Sequence, residues 1–302
     1  SSCGLWLESR EDMWPFRHAR VCAARVAARV FHKQALLPGT IVGAGTALWL
    51  TSRPSSCYAE ERKVALITGS STGIGKAVAQ RLAAEGYCVV VNSHSTVTEG
   101  NALAAELPGA RYIQADCSQR EGCEGLVQQV VKQCGRLDLL ICNAGVGKVI
   151  PHDRLDLIDD EYVQKIFALN CFGPLWLSRA AMPYLRNAPD GSIVMIGSVA
   201  GVRPVGSSIP YSMSRAAMHQ LTKLLAKNCG PVRVNCVAPG LIETRITAGD
   251  EWDGSYEAVR RMAPLKRVGK PEDLTDAVLC CARSAYLTGQ VICVDGGSSL
   301  TF

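Results

Sequence analysis

Seven short apolar runs punctuate the chain from residue 61 onward: KVALITG, YCVVVNS, ARYIQAD, LDLLICNAG, GSIVMIGS, VRVNCVAPG and GQVICVDGG. Most are followed by a segment whose apolar residues recur at helical spacing. Strands buried on both faces read as continuous hydrophobic runs rather than as in–out alternation, and helices between them imply parallel pairing. The pattern predicts one α/β domain over residues 61–302, built as a doubly wound, mostly parallel seven-stranded sheet with helices on both faces. No internal repeat, low-complexity tract or linker interrupts it.

Residues 1–60 follow a different pattern. From Met13 to Ala59 there is no acidic residue, and RHARVCAARVAARVFHK sets Arg17, Arg20, Arg25, Arg29 and Lys33 among Val and Ala at mostly helical spacing. A solvated surface helix would carry Glu or Asp; this basic amphipathic pattern resembles an organellar presequence. A mitochondrial location is favoured, with a plastid as the alternative. The apolar stretch 35–50 would span roughly 24 Å as a helix, short of the ~30 Å hydrocarbon core. A presequence with a sorting segment and a presequence with a weak membrane anchor both fit, and CYA at 57–59 has the small residues of a cleavage site.

Charge agrees with this division. The formal net charge is +5 over 302 residues, with seven Lys/Arg and four Asp/Glu in residues 1–60 against 25 and 23 in the rest. The excess basicity is in the leader, and the near-neutral body gives no sign of a nucleic-acid partner. Fourteen cysteines without a C-x-x-C spacing, and five scattered histidines, point away from metal and disulfide frameworks. Most of the thiols lie in apolar runs, where they pack as small hydrophobes in a reducing compartment.

TGSSTGIG, residues 68–75, ends the first strand and opens the first helix. Gly69, Gly73 and Gly75 permit a tight turn and a close backbone approach to a pyrophosphate, which Ser71, Ile74 and the helix N-terminus would also face. This makes the domain Rossmann-like. The second strand ends VVVNSHS, with Asn92 and Ser93 and no carboxylate to hold the 2′-hydroxyl of NAD. Without that repulsion, amide and hydroxyl donors can accept a 2′-phosphate, so NADP(H) is favoured over NAD(H).

The phosphate turn together with YSMSR at 211–215 resembles the short-chain dehydrogenase/reductase family, and the likeness extends from about Lys63 to Ser298. Asp116, beside Cys117, matches the acid that contacts adenine. CNAG at 142–145 resembles the family's N-N-A-G, with Cys142 in place of the first Asn and Asn143, Ala144 and Gly145 retained. Asn170 matches the asparagine of the catalytic set, and Ser198 precedes Tyr211 by 13 residues, the family's usual separation. Pro239, Gly240, Ile242 and Thr244 are similar to the segment that orders the nicotinamide carboxamide. YLTGQVICVDGG at the C-terminus resembles the 3-ketoacyl-carrier-protein-reductase-like branch.

The resemblance implies hydride transfer between a nicotinamide cofactor and a carbonyl or secondary alcohol, with Tyr211 as acid/base and Ser198 as donor to the substrate oxygen. A phenol of reference pKa about 10 needs an adjacent cation to exchange a proton near neutrality. A helix over 207–228 places position 215 one turn beyond Tyr211 on the same face. The family has lysine there and this chain has Arg215. Charge is kept, but a planar fork replaces a compact ammonium and cannot release a proton into a relay. The expectation is an enzyme with lowered turnover. The alternative is a weakened or inactive nucleotide-binding member serving as a binding or assembly subunit. The segment after Thr244, RITAGDEWDGSYEAVRRMAPLKRVG, would shape the pocket for a small carbonyl or alcohol substrate, with an acyl compound suggested by the C-terminal likeness. Family resemblance further implies a homodimer or homotetramer built across helices near 160–185 and 207–228.

Overall fold

The computed structural model describes residues 62–301. The leader expected over residues 1–60, with its apolar stretch 35–50, lies outside them. Among the described residues no helix is long and apolar enough to cross a membrane.

All seven apolar runs form strands: β1 Val64–Ile67, β2 Cys88–Ser93, β3 Arg111–Gln114, β4 Leu139–Cys142, β5 Ser192–Ile196, β6 Arg233–Pro239 and β7 Val291–Val294. They pair in parallel in the order β3-β2-β1-β4-β5-β6-β7. The helices are α1 Gly73–Ala84, α2 Val97–Glu106, α3 Arg120–Cys134, α4 Asp160–Phe167, α5 Gly173–Asn187, α6 Ile209–Asn228, α7 Asp253–Met262 and α8 Thr275–Arg283. A π-helical turn, Ala168–Phe172, joins α4 to α5.

Alternate residues of each central strand enter two separate cores. Val64 and Leu66 of β1 pack with Leu140, Ile193, Leu126, Leu177 and Met218 on one side of the sheet. Ala65 and Ile67 pack with Val89, Ile141, Val194, Val78, Leu82 and Val278 on the other. Both faces are covered, which is why the strands carry no polar alternation. Cysteines among the described residues are unbridged, and Cys88, Cys123, Cys142 and Cys236 lie within the first core.

The order of connection reverses between β1 and β4, so the loops leaving their C-terminal ends diverge and open a crevice between them. Register keeps the ends level: Ile67 of β1 lies beside Val91 of β2 and Ile141 of β4. Residues 68–75, 92–96, 115–117 and 142–147 all emerge at that edge.

Leu140, fully buried at the centre of β4, tests the packing. Leu140→Ala should cost about 2–5 kcal/mol, the range for a buried leucine whose cavity cannot collapse, read as a lowered urea midpoint with an unchanged slope.

Candidate active site

The phosphate turn is built by three constraints. Gly69 and Gly73 have φ of +61° and +58°, a region that favours glycine. A Cβ on Gly75 would strike Asn143 Nδ2 and the Gly69 carbonyl. Asn143 Nδ2 donates to the carbonyls of Thr68 and Gly69 at 2.8 and 3.0 Å. Thr68 Oγ1 accepts from the amides of Asn143 and Ala144, at 3.1 Å each. Asn143 therefore braces the turn against β4.

Helix α1 begins at Gly73 with no side-chain cap and no acidic residue in its first turn. Its leading amides lack intrahelical partners and face the crevice with the positive end of the helix dipole. An uncapped N-terminus beneath a glycine cradle fits the pyrophosphate of a dinucleotide.

A groove of about 770 Å³ runs from this turn across the sheet edge. It is lined by every predicted cofactor residue except Gly75, which lies behind the turn. Ser198, Tyr211 and Arg215 line its far end, whereas Asn170 is fully buried behind the wall. Asp116 Oδ1 accepts from the amide and hydroxyl of Ser118 at 2.9 and 2.7 Å, and Oδ2 is 3.8 Å from His94 Nδ1. Cys117 turns its thiol inward to Asn92 Oδ1 at 3.6 Å.

One expectation needs correction at the end of β2. Asn92 Nδ2 donates to the carbonyls of Ile113 and Ala115 at 3.1 and 3.3 Å, while its Oδ1 accepts from the Gly69 amide at 3.3 Å. Ser93 Oγ donates to the Thr96 carbonyl at 3.0 Å and bonds the Tyr112 hydroxyl at 2.9 Å. These groups tie β2 to β3 and to the phosphate turn, so they are not the available 2′-phosphate donors that the sequence suggested.

At the other end, Ser208 caps α6, its Oγ accepting from the Tyr211 amide at 3.3 Å, and Pro210 occupies the first turn. The Tyr162 hydroxyl bonds Ser208 Oγ at 3.0 Å and accepts from the Lys148 amide at 3.1 Å. This fixes Tyr211 in the opening turn of α6. Neither Ser208 nor Tyr162 was anticipated, although serine followed by proline two residues later is a helix-start signal.

Arg215 lies one turn further, 5% exposed. Its Cζ sits 5.1 Å from the Tyr211 ring centroid. Nη1 donates to the Ile196 carbonyl at 3.1 Å, and Nε is buried without a partner. Among the described residues no carboxylate pairs with it. A Cβ on Gly145 would collide with Nη2, so the bare backbone there makes room for the fork. Asn170, in the π turn, exchanges hydrogen bonds with the main chain of Val146 at 2.9 Å each way and donates to Ser214 Oγ at 3.2 Å. It holds the loop carrying Gly145 against α6.

Ser198 lies two residues beyond β5 and caps the short turn Val199–Gly201, its Oγ accepting from the Ala200 amide at 3.1 Å. With that lone pair used, its own O–H is left to donate. Ser198 and Tyr211 also line a second cavity of about 400 Å³, walled by Val149, Val205, Ile246, Trp252 and Val259. The two hydroxyl residues thus stand where a groove of mixed lining meets a mainly apolar cavity. The segment after Thr244 forms short turns and α7, and it supplies one wall of that cavity.

The family model described as enoyl-(acyl carrier protein) reductase matches residues 69–299. A Streptomyces violaceoruber protein, named as ketoacyl reductase 2 of the granaticin polyketide synthase, is 50% identical over 80% of this chain and 98% of its own. Dehydrogenase/reductase SDR family member 4 of Bos taurus is 36% identical over 86% of this chain and 97% of its own. The chain belongs to the short-chain dehydrogenase/reductase family. It is an oxidoreductase of that family, whose members use nicotinamide cofactors on small-molecule substrates. A solved structure, that of a blue fluorescent protein from a metagenomic library in complex with NADPH, superposes with a TM-score of 0.71. It is 31% identical, and the match covers 78% of this chain and 97% of that one.

His219, one turn beyond Arg215, fills the space beside Gly197 and Gly201, which flank Ser198. Burial pushes its imidazole down to about 4, opposed by a backbone hydrogen bond at Gly201 and assisted by the Arg215 charge. The unfolded chain, with an ordinary imidazole near 6.5, then binds more protons than the folded one between those values. Stability is complete above about pH 6.5 and falls as the pH drops toward 4. Denaturation at pH 7 and pH 5 should differ by on the order of 2 kcal/mol from this group, a difference absent in His219→Gln.

Proposed function

We propose that the chain transfers hydride between NADP(H) and a carbonyl or secondary alcohol, with Tyr211 exchanging the proton on the substrate oxygen. The observation that carries this reading is the Arg215 guanidinium packed against the Tyr211 ring with no carboxylate partner among the described residues. The cofactor, when bound, supplies or accepts the hydride; the protein must bind and orient it, polarise the substrate oxygen and handle the proton.

Gly69, Gly73 and Ile74 would receive the pyrophosphate at the uncapped start of α1. Ser198 would donate its hydroxyl to the substrate oxygen beside Tyr211. Arg215 would place a positive charge beside the phenol, in space left by Gly145 and kept in register by Asn170, and that neighbouring cation is what proton exchange at Tyr211 calls for. The guanidinium stays protonated, so it orients and stabilises without relaying the proton. The apolar walls suit an acyl or alkyl substrate, in keeping with the ketoacyl reductase of Streptomyces violaceoruber to which the chain is similar.

Self-association belongs to the same reading. Phe172 just before α5, Leu175 on α5, and Met213 and Leu224 on α6 are large apolar residues exposed to solvent, which supports a homodimer or homotetramer across these helices.

Tyr211→Phe should abolish NADPH-dependent ketone reduction, followed by absorbance, while NADPH affinity stays within a few-fold. Arg215→Lys should raise turnover about tenfold or more, within the range that a positioned acid–base group contributes. Tight NADPH binding without oxidation across a panel of ketones and β-keto thioesters would instead support a nucleotide-binding assembly subunit.

A further inference from the structure

We infer that Arg245 selects the 2′-phosphorylated dinucleotide, exchanging an ion pair with Glu99 for the phosphate. The inference rests on the NADP(H) reading above and names the residue that would enforce it.

The end of β2 is where a dinucleotide places its adenosine ribose, yet the polar groups there are already committed. Asn92 and Ser93 hold the strand framework, and the hydroxyls of Ser71 and Thr96 bond each other. A dianionic phosphate calls for a charged, multidentate donor. The described residues lining the groove include two arginines and no lysine. Arg215 is buried at the Tyr211 end, which leaves Arg245. His94 also lies on this rim, and its Nδ1 faces Asp116 at 3.8 Å.

Position supports the assignment. The segment leaving β6 crosses the phosphate turn, where the Thr244 methyl lies 3.6 Å from the point a Gly73 Cβ would occupy. The next residue extends beyond that crossing, and Arg245 Nη1 stands 3.8 Å from Glu99 Oε1 in the first turn of α2. The pair therefore spans the groove between the segment after Thr244 and the β2–α2 corner, and both side chains line it.

The charges work in opposite senses. Glu99 repels a 2′-phosphate and neutralises the cation that would attract it. An exposed pair of this length contributes little, whereas a phosphate offers three acceptor oxygens and up to two charges to the guanidinium fork. Releasing Glu99 costs little because its carboxylate is solvent-exposed. NAD(H) brings no charge to the β2–α2 corner to draw Arg245 from Glu99, so the arginine contributes to binding only when the 2′-phosphate is present. Ile246 and Thr247, which follow directly, line the apolar cavity, so the same short segment carries the cofactor selector and part of the substrate wall.

The test is direct binding on the full chain, independent of turnover, with NADPH, NADH, 2′,5′-ADP and 5′-AMP as probes in a calorimeter. Wild type should prefer NADPH to NADH and 2′,5′-ADP to 5′-AMP. Arg245→Gln should weaken NADPH and 2′,5′-ADP about tenfold or more, as for a lost charge-assisted hydrogen bond, and leave NADH within about twofold. Glu99→Gln should tighten NADPH a few-fold and leave NADH alone. Equal losses for NADPH and NADH in Arg245→Gln would place the arginine on the pyrophosphate and overturn the inference. No loss for either would overturn it as well. In both cases the wild-type preference, and the reading it supports, would stand. A wild type that binds NADH as tightly as NADPH would remove the NADP(H) reading and the inference together, before any variant is made.

Discussion

A guanidinium packed against a phenol ring, away from water and from any described carboxylate, is the interaction around which the site is arranged. A buried cation is costly unless its surroundings offset desolvation. Here the offset comes from the Ile196 carbonyl at the end of β5, the π face of Tyr211 and contact with Met218 Sδ. The fork also needs volume, which Gly145 supplies by having no side chain. Asn170 then becomes intelligible as a buried clamp: it ties the loop after β4 to α6, so the space for the fork and the helix that carries it remain in register.

The same economy of backbone governs the groove. Asn143, Thr68 and Asn92 spend their polar atoms on main-chain groups of the phosphate turn and adjoining strands, which fixes the turn's backbone at the edge of the crevice. A dinucleotide-sized groove and an apolar cavity share Ser198 and Tyr211 as common lining. Chemistry at that boundary can use hydroxyl groups from one side and exclude water on the other, which suits hydride transfer to a substrate with an apolar body.

Much of this was legible in the chain before folding was considered. Continuous apolar runs gave all seven strands because both faces of a parallel sheet are buried, and TGSSTGIG marked the turn because φ of +61° and +58° at Gly69 and Gly73 lie in a region that favours glycine. The one-turn spacing of Tyr211 and Arg215 placed the two side chains together because helical periodicity is local. Residue type was a poorer guide to what a polar side chain bonds. Asn92 and Ser93 looked like ligand donors at a strand end and proved to be framework, because most of their partners, Ile113 and Tyr112 of β3 and Ala115 just after it, are about twenty residues away in the chain.

Short-range periodicity and backbone sterics thus suffice to set the architecture, the phosphate turn and a cation one turn beyond the phenol. Only packing of the folded chain buries Arg215 with no carboxylate among the described residues beside it, lets Gly145 and Asn170 accommodate it, fixes the start of α6 through Ser208 and Tyr162, and brings Arg245 to Glu99 across the groove. Those relations join residues tens to more than a hundred positions apart. They exist only once the strand order has brought the C-terminal ends of β1, β2, β4, β5 and β6 to one edge of the sheet.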